Sequence, residues 1–330
     1  MTITRRRAVL TAVAATFAAA GFVPGAQAQS TWPDRPVTFV VPFPAGGGTD
    51  AFARPLSARL GEQLGKSIII DNKGGAGGTL GAGVAARAAA DGYTFFVGAV
   101  HHAIAPGVYP SLTYDIQKDF VPVGVIAVVP QVVVVNPGRV KANTLAELVA
   151  EAKANPGKMS YASAGSGTSH HLAGELFKAM AGVDVLHVPY KGAGPALQDL
   201  VGGQVDMMFD GLGSSAAHIA GGRIKPLAVA SKVRAPGAMG NIPTSAESGL
   251  PGYEVSTWYA LFAPKGTPQA ILDKFGAELK AALAHDSVAK VWMQQGALVG
   301  TLAPKEMGAF VAAEIARWGK VAKDGNIKVE

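Results

Sequence analysis

The sequence VTFVVPFPAGGGTDAFA, from Val37 to Ala53, joins a run of apolar β-forming residues to three consecutive glycines and the start of a second segment. In that second segment, apolar residues recur at four-residue intervals from Phe52 to Leu64 and predict a helix over 50–64. Glycine costs conformational entropy, so three in a row are expected only where the backbone needs a positive φ or another group comes very close. The stretch therefore predicts a strand, a tight loop and a helix, with a further group held against the loop.

Strand-like and helix-like segments alternate through the rest of the chain, as is typical of a parallel sheet covered by helices on both faces. The first part has predicted strands at 37–41, 68–70 and 93–97, and predicted helices at 50–64 and 81–90. The pattern restarts with helices at 144–154, 169–181, 195–201 and 214–220, and strands at 159–162, 185–188, 205–209 and 224–230. A strand at 258–262 and two amphipathic helices, at 268–285 and 304–323, follow.

Residues 121–135 are apolar, but Pro122 and Pro130 interrupt them and they exceed the length of an ordinary strand. We interpret this stretch as a crossover between two α/β lobes. If the last two helices pack on the first lobe, the chain crosses twice and leaves a cleft with a hinge. We expect lobe 1 to contain residues 29–130 and 255–330, and lobe 2 to contain residues 131–254.

Composition and charge indicate an exported protein without disulfides and give no sign of a nucleic-acid partner. Residues 1–28 have the pattern of an export signal, with Arg5–Arg7, an apolar stretch over 8–23 and a small-residue cleavage site near Ala28. Loss of that segment's three arginines would lower the net charge from +6 to +3, too little to indicate a nucleic-acid partner. The sequence has no cysteine, so disulfides cannot stabilise the exported protein, and its stability depends on burial of a hydrophobic core. The mature chain offers no membrane-spanning segment, and the export route, general or twin-arginine, stays open.

Three glycine-rich loops each follow a predicted strand and precede a predicted helix: 42–50, 74–78 and 165–169. The carboxyl ends of strands are where open α/β sheets bind ligands. Free N–H groups and the positive end of the helix dipole make such positions anion sites without a charged side chain. The loops therefore predict an anion site shared by both lobes. The simpler interpretation of 46–48 is a tight turn with Thr49 as N-cap, although a turn alone needs fewer glycines.

Several long motifs in order resemble the Bug family of periplasmic receptors of the tripartite tricarboxylate transporter type, over essentially the whole mature chain. The motifs are PFPAGGGTDAFAR from Pro42, DNKGGAGG from Asp71, DGYTFFVG from Asp91, YASAGSGTSHHLAGELFKAMAG from Tyr161, HVPYKGAGPALQDLVGGQVDMMFDGL from His187, PTSAESGLPGYE from Pro243 and LFAPKGTP from Leu261. The resemblance implies an α/β, two-lobed type II periplasmic binding protein, or Venus flytrap, with a ligand cleft between the lobes.

The resemblance also implies a function. A small organic mono- or dicarboxylate would be captured in the periplasm and presented to membrane transport subunits, without catalysis, cofactor or metal, by a receptor expected to be a monomer. One carboxylate would meet backbone or bridging water at two loops of lobe 1, and the other end would meet lobe 2. The implied residues are Phe43, Ala45, Gly46, Gly47, Gly48 and Thr49 with Gly75, Gly77 and Gly78 in lobe 1, and Ser166, Thr168 and Ser169 in lobe 2.

Five further side chains are candidate ligand contacts. Asp50 suits a helix start but repels an anion, so capping and a water-mediated contact both stay open. His101 and His102 follow the third strand, and either could donate to a carboxylate; His102 fits the family pattern, whereas His101 departs from it. Tyr190 and Asp210 each follow or end a strand of lobe 2. Of the neighbouring pair His170 and His171, one is expected to pack against the lobe surface.

Three other functions compete with the receptor. Residues 46–51 fit the dinucleotide pattern G-x-G-x-x-A, with Asp71 as the ribose-binding acid of a nucleotide-binding oxidoreductase, but 42–45 separate the strand from the glycines. A hydrolase would use Ser166, yet its neighbours do not form the nucleophile elbow G-x-S-x-G. A metal-binding receptor would use the two His-His pairs, whose side chains diverge by about 100° on a helix. The receptor is the interpretation that explains all three glycine-rich loops.

Overall fold

The computed structural model describes residues 32–300, residue 302 and residues 304–329. The chain divides into two compact units, Met1–Asp34 and Arg35–Glu330. The described residues of the first unit, 32–34, form no helix or strand, and the predicted export signal lies outside the described residues. Every element below belongs to the second unit. None of the helices in the described ranges is both long enough and apolar enough to cross a membrane.

Strands and helices alternate along the second unit. In chain order they are β1 (Val37–Val41), α1 (Gly48–Leu64), β2 (Ile68–Asn72), α2 (Thr79–Ala86), β3 (Thr94–Ala99), α3 (His101–Val108), β4 (Phe120–Val135), α4 (Leu145–Ala154), β5 (Ser160–Ser163), α5 (Ser169–Ala181), β6 (Leu186–Pro189), α6 (Ala193–Val201), β7 (Met207–Gly211), α7 (Leu212–Ala220), β8 (Lys225–Val229), β9 (Ser256–Pro264), α8 (Gln269–Leu283), α9 (Asp286–Gln294), β10 (Leu298–Val299) and α10 (Pro304–Asp324). Short 3₁₀ turns lie at Ala76–Gly78 and Gly237–Met239.

Two groups of parallel strands are joined by two long antiparallel strands. The strand order is β2-β1-β3-β9-β4-β7-β5-β6, and β8 and β10 also pair with β4. β1 runs parallel to β2 and β3, and β5 runs parallel to β6 and β7. β9 is antiparallel to β3 and β4, and β4 is antiparallel to β7. Each parallel group carries its own helices, as the predicted two-lobed α/β fold requires.

The predicted crossover at 121–135 is a single strand, which corrects the sequence expectation. β4 spans 16 residues, pairs with β9 up to Pro130 and pairs with β7 from Gln131 onward. Register shifts between Pro122 and Gly124 and between Val125 and Ala127 bend it. Pro122 lies beside the first irregularity, where its missing N–H breaks no regular ladder, and Pro130 lies where the strand changes partner. The change of partner lies where the lobes were predicted to meet, and the lobe limits themselves stay a prediction.

Two other expectations about elements were wrong in detail. α2 begins at Thr79 and ends at Ala86, four residues before the predicted end. A helix that the sequence pattern missed, α9, lies between the last two predicted helices; the His285 side chain caps it by accepting from the Ser287 N–H. Val288 and Trp292 are its buried residues, and the Trp292 ring meets Phe52 of α1 with centroids 5.4 Å apart. A helix this short depends on its cap and on tertiary packing of Val288 and Trp292 for its stability.

Aromatic clusters hold each lobe together. In the first lobe, Phe95 of β3 stacks on Phe275 of α8 with centroids 4.0 Å apart, and Phe39 of β1 meets both rings edge-on. In the second lobe, Phe209 of β7 contacts Tyr161 of β5 and Phe177 of α5. These rings are almost fully buried, and such pairs contribute about 0.5–1.5 kcal/mol beyond their area burial. Each group of parallel strands is therefore packed against its helices by buried rings.

Candidate functional site

Four helices, α1, α3, α5 and α6, begin around one small cavity between the two groups of parallel strands. The cavity holds about 10 Å³, roughly the space that one water molecule needs and far below the roughly 300 Å³ at which ligand pockets usually start. Its lining residues are Phe43, Gly47, Gly48, Thr49, His101 and Tyr259 from the first lobe and Ala164, His170 and Ala193 from the second. Without movement of the lobes, the space admits no organic solute.

The starts of α1, α5 and α6, like those of α2, α3, α7 and α8, have no side-chain cap. The N-cap residues of α1, α5 and α6 are Gly47, Thr168 and Gly192. The first N–H groups of an α-helix have no partners within the helix and carry the positive end of its dipole. No lysine or arginine is among the described residues that line the cavity. The arrangement thus offers backbone donors, and no cationic side chain, to whatever enters.

The three glycines of the first loop differ in how strictly the structure requires them: Gly46 and Gly48 leave no room for a side chain without strain or overlap, whereas Gly47 has space for a Cβ. Gly46 has a φ of +84°. A Cβ at Gly47 would lie 3.6 Å from the Ala193 Cβ in the opposite lobe, and one at Gly48 would overlap the Tyr259 hydroxyl. The turn interpretation with Thr49 as N-cap is wrong, because α1 begins at Gly48 with Gly47 as its N-cap. Thr49 is instead a buried residue of the cavity lining.

The buried carboxylate of Asp50 holds the first glycine loop in place through four hydrogen bonds. Its carboxylate accepts from the Gly46 N–H at 3.1 Å, from Arg54 at 2.7 and 2.8 Å and from the Asn72 side chain at 3.1 Å. The same Asn72 amide donates to the Phe43 carbonyl at 2.8 Å. Asp50 is 3% exposed and is not part of the cavity lining. Asp50 therefore organises the loop and does not act as the helix N-cap, and its water-mediated contact with a ligand stays a prediction.

Substitution of Asp50 by alanine is expected to lower the free energy of unfolding by about 2–3 kcal/mol, because it leaves buried donors unpaired. Urea denaturation followed by circular dichroism measures the change. Asp71→Ala is the matched control: Asp71 pairs with Lys73 at 3.2 Å on the surface, and such pairs contribute about 0–1 kcal/mol. Equal losses in the two variants would show that the Asp50 network does not stabilise the loop.

The histidines after β3 are both buried and have different surroundings. His101 lines the cavity, and its Nδ1 accepts from the Ser169 N–H of the opposite lobe at 3.0 Å. Burial, followed by the neighbouring His170 and His102, holds the pKa of His101 well below its usual value. His101 is therefore neutral, and its proton lies on Nε2. A surface-loop position for His101 is excluded, since it is 4% exposed and begins α3.

His102 lies beneath the second glycine loop. Its Nδ1 is 3.0 Å from both the N and the O atom of Ala99, and its Nε2 is 3.4 Å from the Gly78 carbonyl. Burial lowers its pKa to about 4. The structure places His102 in the core of the first lobe, outside the cavity lining.

The second glycine loop meets the opposite lobe beside the cavity. Gly75, Gly77 and Gly78 have φ values of +138°, +60° and +94°, and none of them lines the cavity. A Cβ at Gly77 would lie 3.0 Å from the Ser166 carbonyl, and the Tyr109 hydroxyl donates to that same carbonyl at 2.9 Å. This loop is placed for contact between the lobes.

Of the predicted residues in lobe 2, none lines the cavity, although their neighbours do. The Thr168 hydroxyl donates to the Gly165 carbonyl at 2.7 Å, and the Ser169 hydroxyl accepts from the Gln131 amide at 3.0 Å. The Ser166 backbone carbonyl accepts a hydrogen bond from the Tyr109 hydroxyl. Ala45 likewise lies outside the lining, with its carbonyl directed at Gly194 of α6. These residues shape the loop and the helix start around the cavity.

Tyr190 and Asp210 also lie outside the lining. The Tyr190 hydroxyl donates to Asp199 on α6 at 2.7 Å. Asp210 is fully buried, and one of its oxygens accepts from the hydroxyls of Ser214 and Ser215, both at 2.7 Å. Its other oxygen lies 3.6 Å from His170 Nε2, so Asp210 is one layer behind the cavity wall.

Four of the lining residues were not predicted from the sequence: Ala164, His170, Ala193 and Tyr259. Ala164 and Ala193 lie next to predicted loops, but an alanine side chain has no polar group that would mark it as a ligand contact. The sequence does not separate His170 from His171; the structure places His170 in the cavity wall and stacks His171 on His187, with centroids 4.0 Å apart. Tyr259 comes from the long strand β9 and gives no local signal. Within the described ranges, no group of three or more His, Cys, Asp or Glu side chains is arranged to hold a metal ion.

The chain matches one family of receptors along most of its length. Residues 52–327 match the model of the TctC family, described as tripartite tricarboxylate transporter family receptor. Protein BugT of Bordetella pertussis is 36% identical over 97% of this chain and 98% of its own length.

Two solved structures with the same fold contain an organic acid. An R. palustris protein solved with adipate is 42% identical, with a TM-score of 0.86 over 90% of this chain and 99% of its own. MatC from Rhodopseudomonas palustris, with bound malate, is 37% identical, with a TM-score of 0.82 over 88% of this chain and 99% of its own. The predicted two-lobed periplasmic binding protein fold and the resemblance to Bug receptors are thereby confirmed. The chain belongs to the TctC family of tripartite tricarboxylate transporter receptors.

Proposed function

We propose that this solute-binding receptor captures a small organic carboxylate in the periplasm and presents it to the membrane subunits of a tripartite tricarboxylate-type transporter. One observation carries the proposal: the uncapped starts of α1, α5 and α6 surround a cavity whose described lining contains no lysine or arginine. Backbone N–H groups at helix starts suit a carboxylate, and each charge-assisted hydrogen bond contributes about 1.5–3 kcal/mol. The two relatives were solved with adipate and malate, which are both dicarboxylates.

Closure of the lobes would couple binding to transport. The cavity wall is divided between the lobes, with Gly47–Thr49 on one side and Ala164, His170 and Ala193 on the other. A solute that touches both sides binds the closed form better than the open form and shifts the population toward it. The membrane subunits would then recognise the closed form. The absence of an enzymatic role, the periplasmic location and the monomeric state belong to the same proposal.

A thermal-shift screen of monocarboxylates, aliphatic and aromatic dicarboxylates tests this function on the mature chain. A ligand at about 100 times its Kd stabilises the native state by about 2.7 kcal/mol, which corresponds to a rise in Tm of about 5 °C or more. The diamide of each acid that binds is the control, because it keeps the shape and lacks the charge. If no acid raises the Tm, or the diamide acts equally well, carboxylate capture at helix starts is not the function.

A further inference from the structure

The helix starts around the cavity differ in how many of their N–H groups are free. In the loop that leads into α5, four of the five N–H groups over 165–169 have acceptors within the protein. These acceptors are the Ser163 hydroxyl, the His171 ring, the Gly165 carbonyl and the His101 ring. At the start of α1, the N–H groups of Gly47 and Gly48 have no acceptor among the described residues. The anion-binding capacity of the α5 start is therefore largely used by the protein itself.

His101 stands at α5 where an anion would otherwise bind. Its Nδ1 accepts, from across the cleft, the N–H of Ser169, the first residue of α5, at 3.0 Å. Burial, followed by the neighbouring His170 and His102, holds the pKa of His101 well below its usual value, so the ring is neutral and keeps a lone pair on Nδ1. The Phe43 ring packs against it edge-on, with centroids 5.1 Å apart. A neutral acceptor thus satisfies this N–H without bringing a charge into the cavity.

The contact between His101 and Ser169 lies beside the strands that join the lobes. The Ser169 hydroxyl accepts from the Gln131 amide at 3.0 Å, and Gln131 stands where β4 changes partner. Next to His101, the Val100 N–H donates to the Trp258 carbonyl of β9 at 3.1 Å. Atoms beside the joining strands move least when two lobes part about a hinge. The contact can therefore persist when the cavity widens to admit a solute.

The starts of α1 and α6 face each other and keep free donors. A Cβ at Gly47 would lie 3.8 Å from the nitrogens of both Ala193 and Gly194. Neither of those two N–H groups has an acceptor in the part of the chain that the structure describes. One carboxylate between these starts would meet N–H groups from both lobes and the positive ends of two helix dipoles.

The second lobe disfavours another carboxylate at the α5 side of the cavity. Asp210 Oδ1 has no hydrogen-bond partner and lies 3.6 Å from Nε2 of His170, a residue of the cavity wall. The described lining contains no lysine or arginine, and carboxylates buried close together without a cation repel each other. Resting on the carboxylate function proposed above, we propose that His101 occupies the anion site at the start of α5. The receptor then holds its solute by one carboxylate, between α1 and α6, and binds monocarboxylates more tightly than dicarboxylates.

Isothermal titration calorimetry with acids of equal chain length tests this preference. The pairs are butyrate and succinate, valerate and glutarate, and hexanoate and adipate. In the pair that binds best, the monocarboxylate is expected to bind at least about tenfold more tightly. His101→Ala frees the Ser169 N–H and should shift the ratio about tenfold toward the dicarboxylate, because that N–H can then form a charge-assisted hydrogen bond. His101→Asn keeps an acceptor near the position of Nδ1 and should keep the wild-type ratio.

Two further variants separate selectivity from structural damage. Asp210→Asn removes the negative charge behind the wall and should also shift the ratio toward the dicarboxylate, with the His101 contact intact. His218→Ala is the matched control, because His218 lies on α7 outside the cavity lining; its ratio should equal that of wild type. The ratio compares two acids on the same protein, so a partly unfolded sample does not change it. The wild-type ratio alone tests the inference if a variant fails to fold.

Each other outcome has a definite meaning. Tighter binding of the dicarboxylate by wild type would overturn the role of His101 and leave the proposed function standing. A ratio that His101→Ala leaves unchanged would overturn it as well. So would a larger loss of affinity for the dicarboxylate than for the monocarboxylate in His101→Ala, because His101 would then contact the second carboxylate directly. If no acid of the panel binds, the proposed function fails first and this inference fails with it.

Discussion

Replacement of Gly47 by valine is expected to abolish carboxylate binding and to leave the Tm of the unliganded protein within a few degrees of wild type. Gly47 has extended backbone angles, φ −87° and ψ 171°, which valine adopts readily. A Cβ there would lie 3.6 Å from the Ala193 Cβ of the opposite lobe. The two further carbons of valine extend about 1.5 Å beyond the Cβ and need space that the second lobe or the solute occupies.

Calorimetric titration with an acid found in the thermal-shift screen measures this effect. The affinity of Gly47→Val should fall at least about 100-fold, or about 2.7 kcal/mol. Gly47→Ala is the graded control, because its Cβ makes only an ordinary contact and should cost less than about tenfold. A valine variant that keeps wild-type affinity would mean that neither the solute nor the opposite lobe approaches this glycine.

Substitution of Gly194 by alanine is expected to hold the lobes apart and to weaken binding about 100-fold, or about 2.7 kcal/mol. Gly194 is the second residue of α6. A Cβ there would lie 2.7 Å from the Ala45 carbonyl oxygen of the first lobe. Because the obstacle is backbone and lies across the cleft, closure is impeded while each lobe alone is undisturbed. The first loop and its N–H groups remain intact, so residual weak binding to the first lobe is expected.

Small-angle X-ray scattering with and without ligand separates this effect from a loss of folding. Wild type should become more compact with ligand, and Gly194→Ala should not. Its Tm is expected to fall by about 4 °C, because Pro195 disfavours helical angles at an alanine before it. Gly308→Ala on α10 is the matched control, because no atom lies within 4 Å of its added Cβ. Full ligand-induced compaction of Gly194→Ala would contradict closure through this contact.

The fold was predictable because its signals are local. Apolar runs and helical periodicity within a few residues are enough to place β1, the glycine loop and α1. The same rules were wrong at β4, where a bulge follows Pro122 and Pro130 stands where the strand changes partner. They also missed α3 and α9, and α9 packs Trp292 against Phe52. These errors arise where distant residues outweigh local preference.

The candidate site was predictable only in part. The loop after β1 was expected to meet an anion, and Gly47, Gly48, Thr49, Phe43 and His101 do line one cavity. Periodicity does not reveal that Asp50 turns inward to Arg54. Nor does it show which of His170 and His171 faces the cavity, because neighbouring residues on a helix point about 100° apart. Their ligand contacts stay predictions.

By itself, the sequence determined most of the strands and helices and the places where glycine loops follow strand ends. Both features arise from side-chain periodicity and backbone freedom within a few residues. Only the tertiary structure decided that the starts of α1, α5 and α6 surround the same cavity, with Tyr259 and His170 in its wall. Those residues are far apart in the chain, and they meet because β9 and β4 join the two groups of parallel strands. No local pattern encodes that pairing.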